Sequence, residues 1–220
     1  MIPREILDIP RVTALNMHGS LLPKYRGRAP VNWVLVNGEK ETGVTLHEMV
    51  EKPDAGDIIA QKRIEISFED DIQTLYSKMS TGAGQLMNEI LPLLENGTFQ
   101  GTPQKGPSSY CRGRKPEDGL ILWENDAISI YNLTRAVTHP YPGAYTFLDG
   151  RKLFVWKTYP YGRNSHEPPG KIVSLRPLII ATGGGLLQLL SLQLENGPEL
   201  QADEFGQKYD IENKTLGGSA

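Results

Sequence analysis

Asn16 and His18 are the first side chains along the sequence whose types and spacing could serve catalysis. They belong to the run VTALNMH, residues 12–18, whose apolar and β-branched residues predict a buried strand that stops at Gly19. Alternate residues of a strand project from one face, and this pair lies at the C-terminal end, where open α/β sheets bind ligands. An amide can donate to a developing oxyanion, and an imidazole can accept or relay a proton. The pattern fits this chemistry and, equally well, a strand-end histidine bonded to a loop carbonyl.

A carboxylate that could assist this pair lies in the turn KPDAGDI. Asp54 and Asp57 are both candidates, and their spacing alone does not choose between them. A lone Asp in such a turn usually bonds to its own backbone, so the structural interpretation is the commoner one.

Three cations alternate through the loop that follows the first strand: Lys24, Arg26 and Arg28. They could contact an anionic substrate, although solvated loop charge is the commoner outcome for such residues. A P-loop is excluded because the sequence has no GxxxxGK[ST] pattern. The run TGGGL, residues 182–186, follows one apolar strand and opens another, so it predicts a glycine turn.

The other histidines and the single cysteine are predicted to be structural or exposed. His47 lies on an alternating strand, and His166 lies in a Pro-rich loop. His139 follows a helix, where it would interact with the helix C-terminus. Cys111 has basic neighbours that could lower its pKa, but no partner pattern supports a nucleophile, so a free structural thiol is predicted.

The elements that must position these residues follow from periodicity and turn residues. The first hundred residues predict, in order, a helix over 3–9, the strand over 12–18, a helix from Pro30 to Gly38, an antiparallel pair of strands over 42–50 and 57–66, and a long helix opened by Asp70 and Asp71. Gly82 and Gly84 are expected to weaken the middle of that helix, and Pro92 to kink its last turns.

A change of composition over residues 98–117, rich in Gly, Pro, Ser and cations, indicates a domain boundary. A helix capped by Asn125 or Asp126 follows, then a hairpin around Asp149-Gly150. Further short strands are predicted in PGKIVSL, LIIAT and LLQLLSLQL. The predicted organisation is a first domain over 1–100, a linker over 101–117, and a small OB-like β-barrel over 118–220.

Composition limits the classes of protein to which the chain could belong. Its 220 residues are 39% hydrophobic, which suffices for one ordinary domain or two small ones. The formal net charge of −3 argues against a general nucleic-acid coat. One cysteine permits neither a disulfide framework nor a CxxC metal site within the chain, which favours a reducing, cytoplasmic setting. No signal peptide or transmembrane run is visible, so no membrane partner is expected.

The run LNMHGSLLPKYRGRAPVNWVLVNGEKETGVTLHEMVEKPDAGDIIAQ resembles the formyltetrahydrofolate-dependent formyltransferases. The elements that carry this resemblance are N-x-H at residues 16–18, SLLPxxxG at 20–27, and D-x-G at 54–56, in the family's order. The later run from RGRKPEDG to LFVWK is similar to the C-terminal subdomain of the same family. The resemblance implies an α/β fold in which part of a Rossmann-like formyltransferase domain precedes the OB-like subdomain.

The resemblance also implies roles for individual residues. Asn16, His18 and Asp54 would be the catalytic residues, formyltetrahydrofolate would be the cosubstrate, and no metal would be needed. Asn16 would hold the formyl oxygen, and His18, balanced by Asp54, would take the proton from the attacking amine. Cosubstrate contacts are expected from Ser20, Leu21, Leu22 and Pro23, and substrate contacts from Lys24, Tyr25, Arg26, Gly27, Arg28, Asn32 and Trp33.

Within the family, HGSLLPKYRGRAPVNWVLVNGE is most similar to enzymes that formylate amino sugars on nucleotides, of the UDP-4-amino-4-deoxy-L-arabinose type. The expected partner is therefore an amino-sugar nucleotide, and the family also allows a homo-oligomer. Two alternatives stay open: a methionyl-tRNA formyltransferase, whose partner would be tRNA, and a non-catalytic remnant that serves as a binding module.

The start of the chain departs from the family pattern. In the family, most parallel strands of the Rossmann-like sheet precede the N-x-H strand, whereas here only one predicted helix does. We therefore expect an N-terminally truncated chain with an unpaired apolar strand edge over 12–17 and part of the folate pocket missing. The chain alone is expected to be poorly active or inactive.

Overall fold

The computed structural model describes residues 2–162 and 166–218, which form two compact units. The first unit comprises the residues up to Val34 together with Glu39–Arg114. The second comprises Leu35–Gly38 together with the residues from Lys115 onward. None of the helices within these described ranges is long and apolar enough to cross a membrane.

The first half of the chain combines helices with a small sheet and a two-stranded ribbon. Its elements are α1 (Arg4–Leu7), β1 (Leu15–His18), β2 (Arg26–Gly27), α2 (Pro30–Val36), β3 (Glu41–Glu48), β4 (Ile58–Glu65), α3 (Ile72–Glu95) and β5 (Tyr110–Cys111). The sheet has the order β1-β3-β4, and β2 pairs with β5 in parallel. The predicted antiparallel pair of strands is confirmed as β3 and β4.

The register of this sheet brings the predicted strand-end pair next to β3. Asn16 lies across from His47, and His18 lies across from Thr45. Both strand pairs of the described sheet are antiparallel, so the argument from the C-terminal edge of a parallel sheet does not apply to it. The two side chains are placed instead by cross-strand pairing with β3.

Helix α3 begins where the sequence predicts, because Asp71 caps it. The Asp71 carboxylate accepts hydrogen bonds from the backbone N–H groups of Gln73 and Thr74, both at 2.9 Å. Thr74 Oγ1 accepts in return from the Asp71 N–H at 3.0 Å, which completes a capping box. Gly82 lies on the buried face, where a Cβ would come within 2.9 Å of Ile64 Cδ1, so this glycine permits close packing of α3 on β4.

The second unit is built on an antiparallel sheet. After a 3-10 helix at Pro116–Gly119, its elements are α4 (Ala127–Val137), β6 (Ala144–Leu148), β7 (Arg151–Gly162), β8 (Ile172–Leu175), β9 (Leu178–Ala181), β10 (Leu186–Leu194), β11 (Glu199–Gln201) and α5 (Ala202–Lys208). The main order is β6-β7-β10-β9-β8, and β11 pairs with β10. The predicted hairpin is confirmed: Asp149 and Gly150, with φ of 51° and 75°, connect β6 to β7.

A helix cap and a glycine turn in this unit follow local sequence signals. Asp126 is the residue that caps α4, since its carboxylate accepts from the Ser129 N–H at 2.9 Å. The segment 182–185 is a turn between β9 and β10, as the glycine run predicts. His139, which was predicted to interact with a helix end, stacks its ring on Trp156 at 3.8 Å, and its Nε2 lies 3.0 Å from Glu199 Oε2.

Candidate active site

Asp54 occupies the turn between β3 and β4 in a left-handed conformation, with a φ of 52°. Asp adopts this conformation more readily than most residues. The turn lies close against β3, because a Cβ on Gly56 would come within 2.0 Å of the Glu48 carbonyl oxygen. Asp54 Oδ2 accepts a hydrogen bond from the Gly27 N–H at 2.7 Å. The carboxylate is thus held by the distant strand β2, rather than by its own turn as the structural interpretation expected.

The second carboxylate oxygen of Asp54 faces two histidines. Oδ1 lies 3.6 Å from His18 Nδ1 and 3.5 Å from His47 Nε2. Both imidazoles are buried, with 6% and 2% of their side chains exposed. In such surroundings the interaction between a carboxylate and an imidazolium is stronger than in water.

The hydrogen bond of His18 Nε2 fixes the orientation of the imidazole ring. The Tyr25 carbonyl oxygen lies 2.8 Å from His18 Nε2 and can only accept, so Nε2–H is the donor. In the neutral ring, Nδ1 therefore carries the lone pair and faces the Asp54 carboxylate. A proton taken up at Nδ1 would gain the carboxylate as its counter-charge.

His47 also belongs to this cluster, although its position on an alternating strand does not predict this. Its Nδ1–H donates to the Glu48 carbonyl oxygen at 2.7 Å, which leaves Nε2 as an acceptor. Burial, as the largest cause, lowers the pKa of His47 below its usual value, which favours the neutral ring. Of the two predicted alternatives, structural or exposed, the structure excludes the second, because His47 is buried and contacts both Asn16 and Asp54.

The amide orientation of Asn16 follows from the neutral His47 ring. Asn16 Nδ2 lies 3.2 Å from His47 Nε2 and donates to it. One N–H of the amide is therefore committed to His47, and the second is directed elsewhere by the planar geometry of the group. This arrangement presents an amide donor beside the carboxylate and the two imidazoles.

Two cavities adjoin these residues within the first unit. One of about 180 Å³ has Asn16, His47 and Asp54 in its wall, together with apolar side chains that include Met49 and Pro53. The other, of about 330 Å³, is lined by His18 and Gly27 and by residues of α2 and α3, among them Pro30, Val31, Tyr76 and Met79. The polar cluster is therefore accessible to ligands that carry apolar surface.

The segment predicted to contact the cosubstrate packs into the protein. Ser20 is fully buried and its hydroxyl donates to the Lys24 carbonyl oxygen at 2.7 Å. Leu22 is 3% exposed, and its N–H donates to Thr45 Oγ1 at 3.2 Å. Leu21 and Pro23 are half-buried. Cosubstrate contacts from this segment stay a prediction.

The residues predicted to contact the substrate fall into two groups. Arg26 and Asn32 are buried, with 7% and 1% exposed, whereas Lys24 and Arg28 are exposed. The remainder are half-buried: Tyr25, Gly27 and Trp33. Arg26 donates to Gln104 Oε1 from Nε at 3.1 Å and from Nη2 at 2.6 Å, so solvated loop charge does not describe this arginine.

Two further expectations concern single side chains. Asp54, and not Asp57, is the carboxylate that faces the histidines. Asp57 lies beside Gly101, where an added Cβ would be 2.8 Å from the Asp57 Cβ. Burial raises the pKa of the Cys111 thiol, so its basic neighbours do not activate it. Within the described ranges, no group of three or more His, Cys, Asp or Glu side chains is arranged to hold a metal ion.

Comparison with known protein families identifies two successive matches along the chain. The model described as formyl transferase matches residues 1–91, and the model described as formyl transferase, C-terminal domain, matches residues 114–210. Together these matches cover most of the chain.

Solved structures with a similar fold include three relatives. HypX from Aquifex aeolicus is 23% identical with a TM-score of 0.69, over 91% of this chain and 36% of its own, and a further HypX structure contains tetrahydrofolic acid. An N-formyltransferase from Helicobacter canadensis, in complex with folinic acid and dTDP-3-aminofucose, is 24% identical with a TM-score of 0.63, over 81% of this chain and 66% of its own. Methionyl-tRNA formyltransferase from Clostridium thermocellum is 23% identical with a TM-score of 0.57, over 72% and 67%. At these identities the likeness concerns the fold, and the chain spans about a third of the length of the HypX chains.

Proposed function

Because the chain belongs to the formyl transferase family, we propose that it transfers a formyl group from formyltetrahydrofolate to the amine of an amino-sugar nucleotide. The acceptor is of the UDP-4-amino-4-deoxy-L-arabinose type. The observation that carries this proposal is the position of the Asp54 carboxylate, 3.6 Å from His18 Nδ1 and beside the amide of Asn16. These groups supply a base and an oxyanion donor, which are the two functions that formyl transfer requires.

Asn16 is the group that stabilises negative charge in this mechanism. Attack of the amine nitrogen on the formyl carbon forms a C–N bond and moves an electron pair onto the formyl oxygen. The second N–H of Asn16 donates to that oxygen, while the first is held by His47 Nε2. Because the amide is fixed before the reaction, it need not reorganise as the charge develops.

His18 and Asp54 manage the proton of the attacking amine. Nε2–H of His18 is committed to the Tyr25 carbonyl, so Nδ1 is the atom that accepts the proton. The resulting imidazolium is balanced by Asp54, whose own position is fixed by the Gly27 N–H. The C–N bond to the folate nitrogen then breaks, and the proton passes to that leaving nitrogen.

The choice of acceptor rests on the sequence between the catalytic residues and on charge. The sequence of residues 18–39 resembles that of the amino-sugar enzymes. The net charge of −3 gives the protein little electrostatic attraction for tRNA. The fold is shared with an N-formyltransferase whose structure contains dTDP-3-aminofucose. The binding of folates in related structures supports formyltetrahydrofolate as the cosubstrate.

The proposed architecture follows the same family. We assign the first unit to the Rossmann-like catalytic domain, over about residues 1–100, and the sheet of the second unit to an OB-like subdomain over 118–220. The antiparallel order β6-β7-β10-β9-β8 with one helix before it supports that assignment.

The test is a screen of acceptors with formyltetrahydrofolate, using protein expressed from its complete coding sequence. We expect formylation of the amino-sugar nucleotide, and we expect His18→Ala to abolish it, because Nδ1 of His18 is the atom that accepts the amine proton in this mechanism. His166→Ala, an exposed histidine in a loop, is the matched control and should keep full activity. Undiminished turnover by His18→Ala would refute the proposal.

A further inference from the structure

Two arginines pack over one tryptophan in the first unit, and a third arginine lies beside the same chain segment. The guanidinium carbon atoms of Arg112 and Arg114 lie 5.4 and 4.7 Å from the centroid of the Trp33 ring. The Trp33 Nε1–H donates to the Arg112 carbonyl oxygen at 2.9 Å, which fixes the ring against this segment. We call Trp33, Arg28, Arg112 and Arg114 the arginine cluster.

Arg28 joins the cluster through the parallel pairing of β2 with β5. Its backbone N–H donates to the Cys111 carbonyl oxygen at 3.0 Å. Its side chain runs over Gly113, where Cδ and Nη1 lie 3.6 and 3.7 Å from the position that a Cβ would occupy. The third cation is thereby brought to the chain segment that carries the other two.

The same ribbon connects the arginine cluster to the catalytic carboxylate. Gly27 pairs with Cys111 in β5, and its N–H donates to Asp54 Oδ2 at 2.7 Å. Gly27 has a φ of 95°, and a Cβ there would come within 2.4 Å of the Cys111 carbonyl oxygen, so the ribbon requires glycine at this position. The β2–β5 ribbon therefore contacts Asp54 through Gly27 and is continuous with the segments that carry the arginines.

Arg26, the other arginine of the ribbon, is held by hydrogen bonds to neighbouring side chains. It is 7% exposed, and three of its nitrogens donate to Gln104 and Tyr110. Arg28 and Arg112 are exposed, and Arg112 Nη1 donates to the Gly113 carbonyl oxygen at 3.1 Å. An anion at this surface would interact favourably with all three guanidinium groups.

We propose that the arginine cluster binds the diphosphate of the nucleotide whose amino sugar is formylated. Guanidinium groups match phosphate oxygens in a bidentate geometry, and the Trp33 ring holds two of them in place. This inference rests on the proposed function for the identity of the ligand. A diphosphate bound here is connected through Gly27 to the residue that balances the reacting amine, so the cluster would orient the acceptor and contribute to its specificity.

The test measures binding of UDP by isothermal titration calorimetry, without any formyl donor. We expect Arg112→Gln and Arg114→Gln each to raise the Kd of UDP roughly ten- to hundredfold, as the loss of a charge-assisted hydrogen bond implies. In the formylation assay, the KM for the amino-sugar nucleotide should rise in these variants with little change in kcat. Arg151→Gln, an exposed arginine of the second unit, is the charge-matched control and should leave both values unchanged.

Two results would overturn the inference. One is binding of UDP by Arg112→Gln and Arg114→Gln within about twofold of the original protein, with folding verified by circular dichroism. The other is the absence of UDP binding to the original protein at millimolar concentrations. Failure of the proposed function would give a different result: the protein would still bind UDP through the cluster but would transfer no formyl group.

Discussion

At the scale of single residues, the sequence predicts three of the four side chains that the structure brings together. Asn16 and His18 share a face because they alternate along β1, and Asp54 is identified through the family resemblance. His47 could not be found in the same way, because its role depends on the register that places it across from Asn16. The sequence does show that His47 lies on an alternating strand, and that this strand directly precedes the turn that carries Asp54.

The burial of His47 leads to a prediction about stability and pH. Its pKa is lowered in the folded protein from the usual 6.5, so the unfolded chain takes up the proton first as the pH falls. The contribution of this group to stability is therefore complete above about pH 6.5 and declines below it, by at most about 1.4 kcal/mol per pH unit. His47→Gln removes the titrating group, and its free energy of unfolding in urea should depend less steeply on pH in that window.

His166→Gln, which removes an exposed imidazole, is the control for that measurement and should keep the profile of the original protein. Identical pH profiles for His47→Gln and the original protein would contradict the assignment of His47 as a buried neutral ring.

At the scale of elements, periodicity and turn chemistry predict most of what is observed. The capped start of α3 at Asp71, the β3–β4 pair and the hairpin at Asp149-Gly150 all depend on local sequence, and the structure confirms them. The β2–β5 ribbon was not predicted. Its strands are two residues each and join parts of the chain 84 residues apart, so no periodic pattern marks them.

Helix α3 offers a comparison between two glycines that the sequence treats alike. Gly84 has no atom within 4 Å of an added Cβ, so Gly84→Ala should raise the free energy of unfolding by about 0.5–1 kcal/mol through helix propensity. Gly82→Ala should gain less or nothing, because Ile64 Cδ1 lies 2.9 Å from the new methyl group and must move. Chemical denaturation of both variants measures the difference, and an equal gain for both would contradict the packing described for α3.

At the scale of the whole chain, composition and family resemblance give the class of protein but not the arrangement of its strands. The two family matches and the two compact units support an α/β formyl transferase with a small β-rich unit. The domain division at residues 101–117 stays a prediction. The sheet of the first unit is antiparallel in the described residues, which the Rossmann-like expectation did not anticipate, since strand direction is decided by pairing between distant segments.

The net charge of −3 leads to a prediction about nucleic acid. We expect no complex with initiator methionyl-tRNA in a gel-shift assay at low ionic strength, because phosphate binding depends on a broad basic surface. A basic formyl transferase that binds tRNA serves as the positive control for the assay. A salt-sensitive complex of this protein with the tRNA would favour the methionyl-tRNA alternative over the amino-sugar acceptor.

The most direct test of the central claim compares formyl transfer by the original protein and by Asp54→Asn. The substrates are formyltetrahydrofolate and UDP-4-amino-4-deoxy-L-arabinose, and the protein is expressed from its complete coding sequence. Asn keeps an acceptor for the Gly27 N–H but removes the charge that faces His18. We expect turnover by the original protein and a decrease in kcat on the order of 10²- to 10⁴-fold in Asp54→Asn. Equal kcat for the two proteins would contradict it.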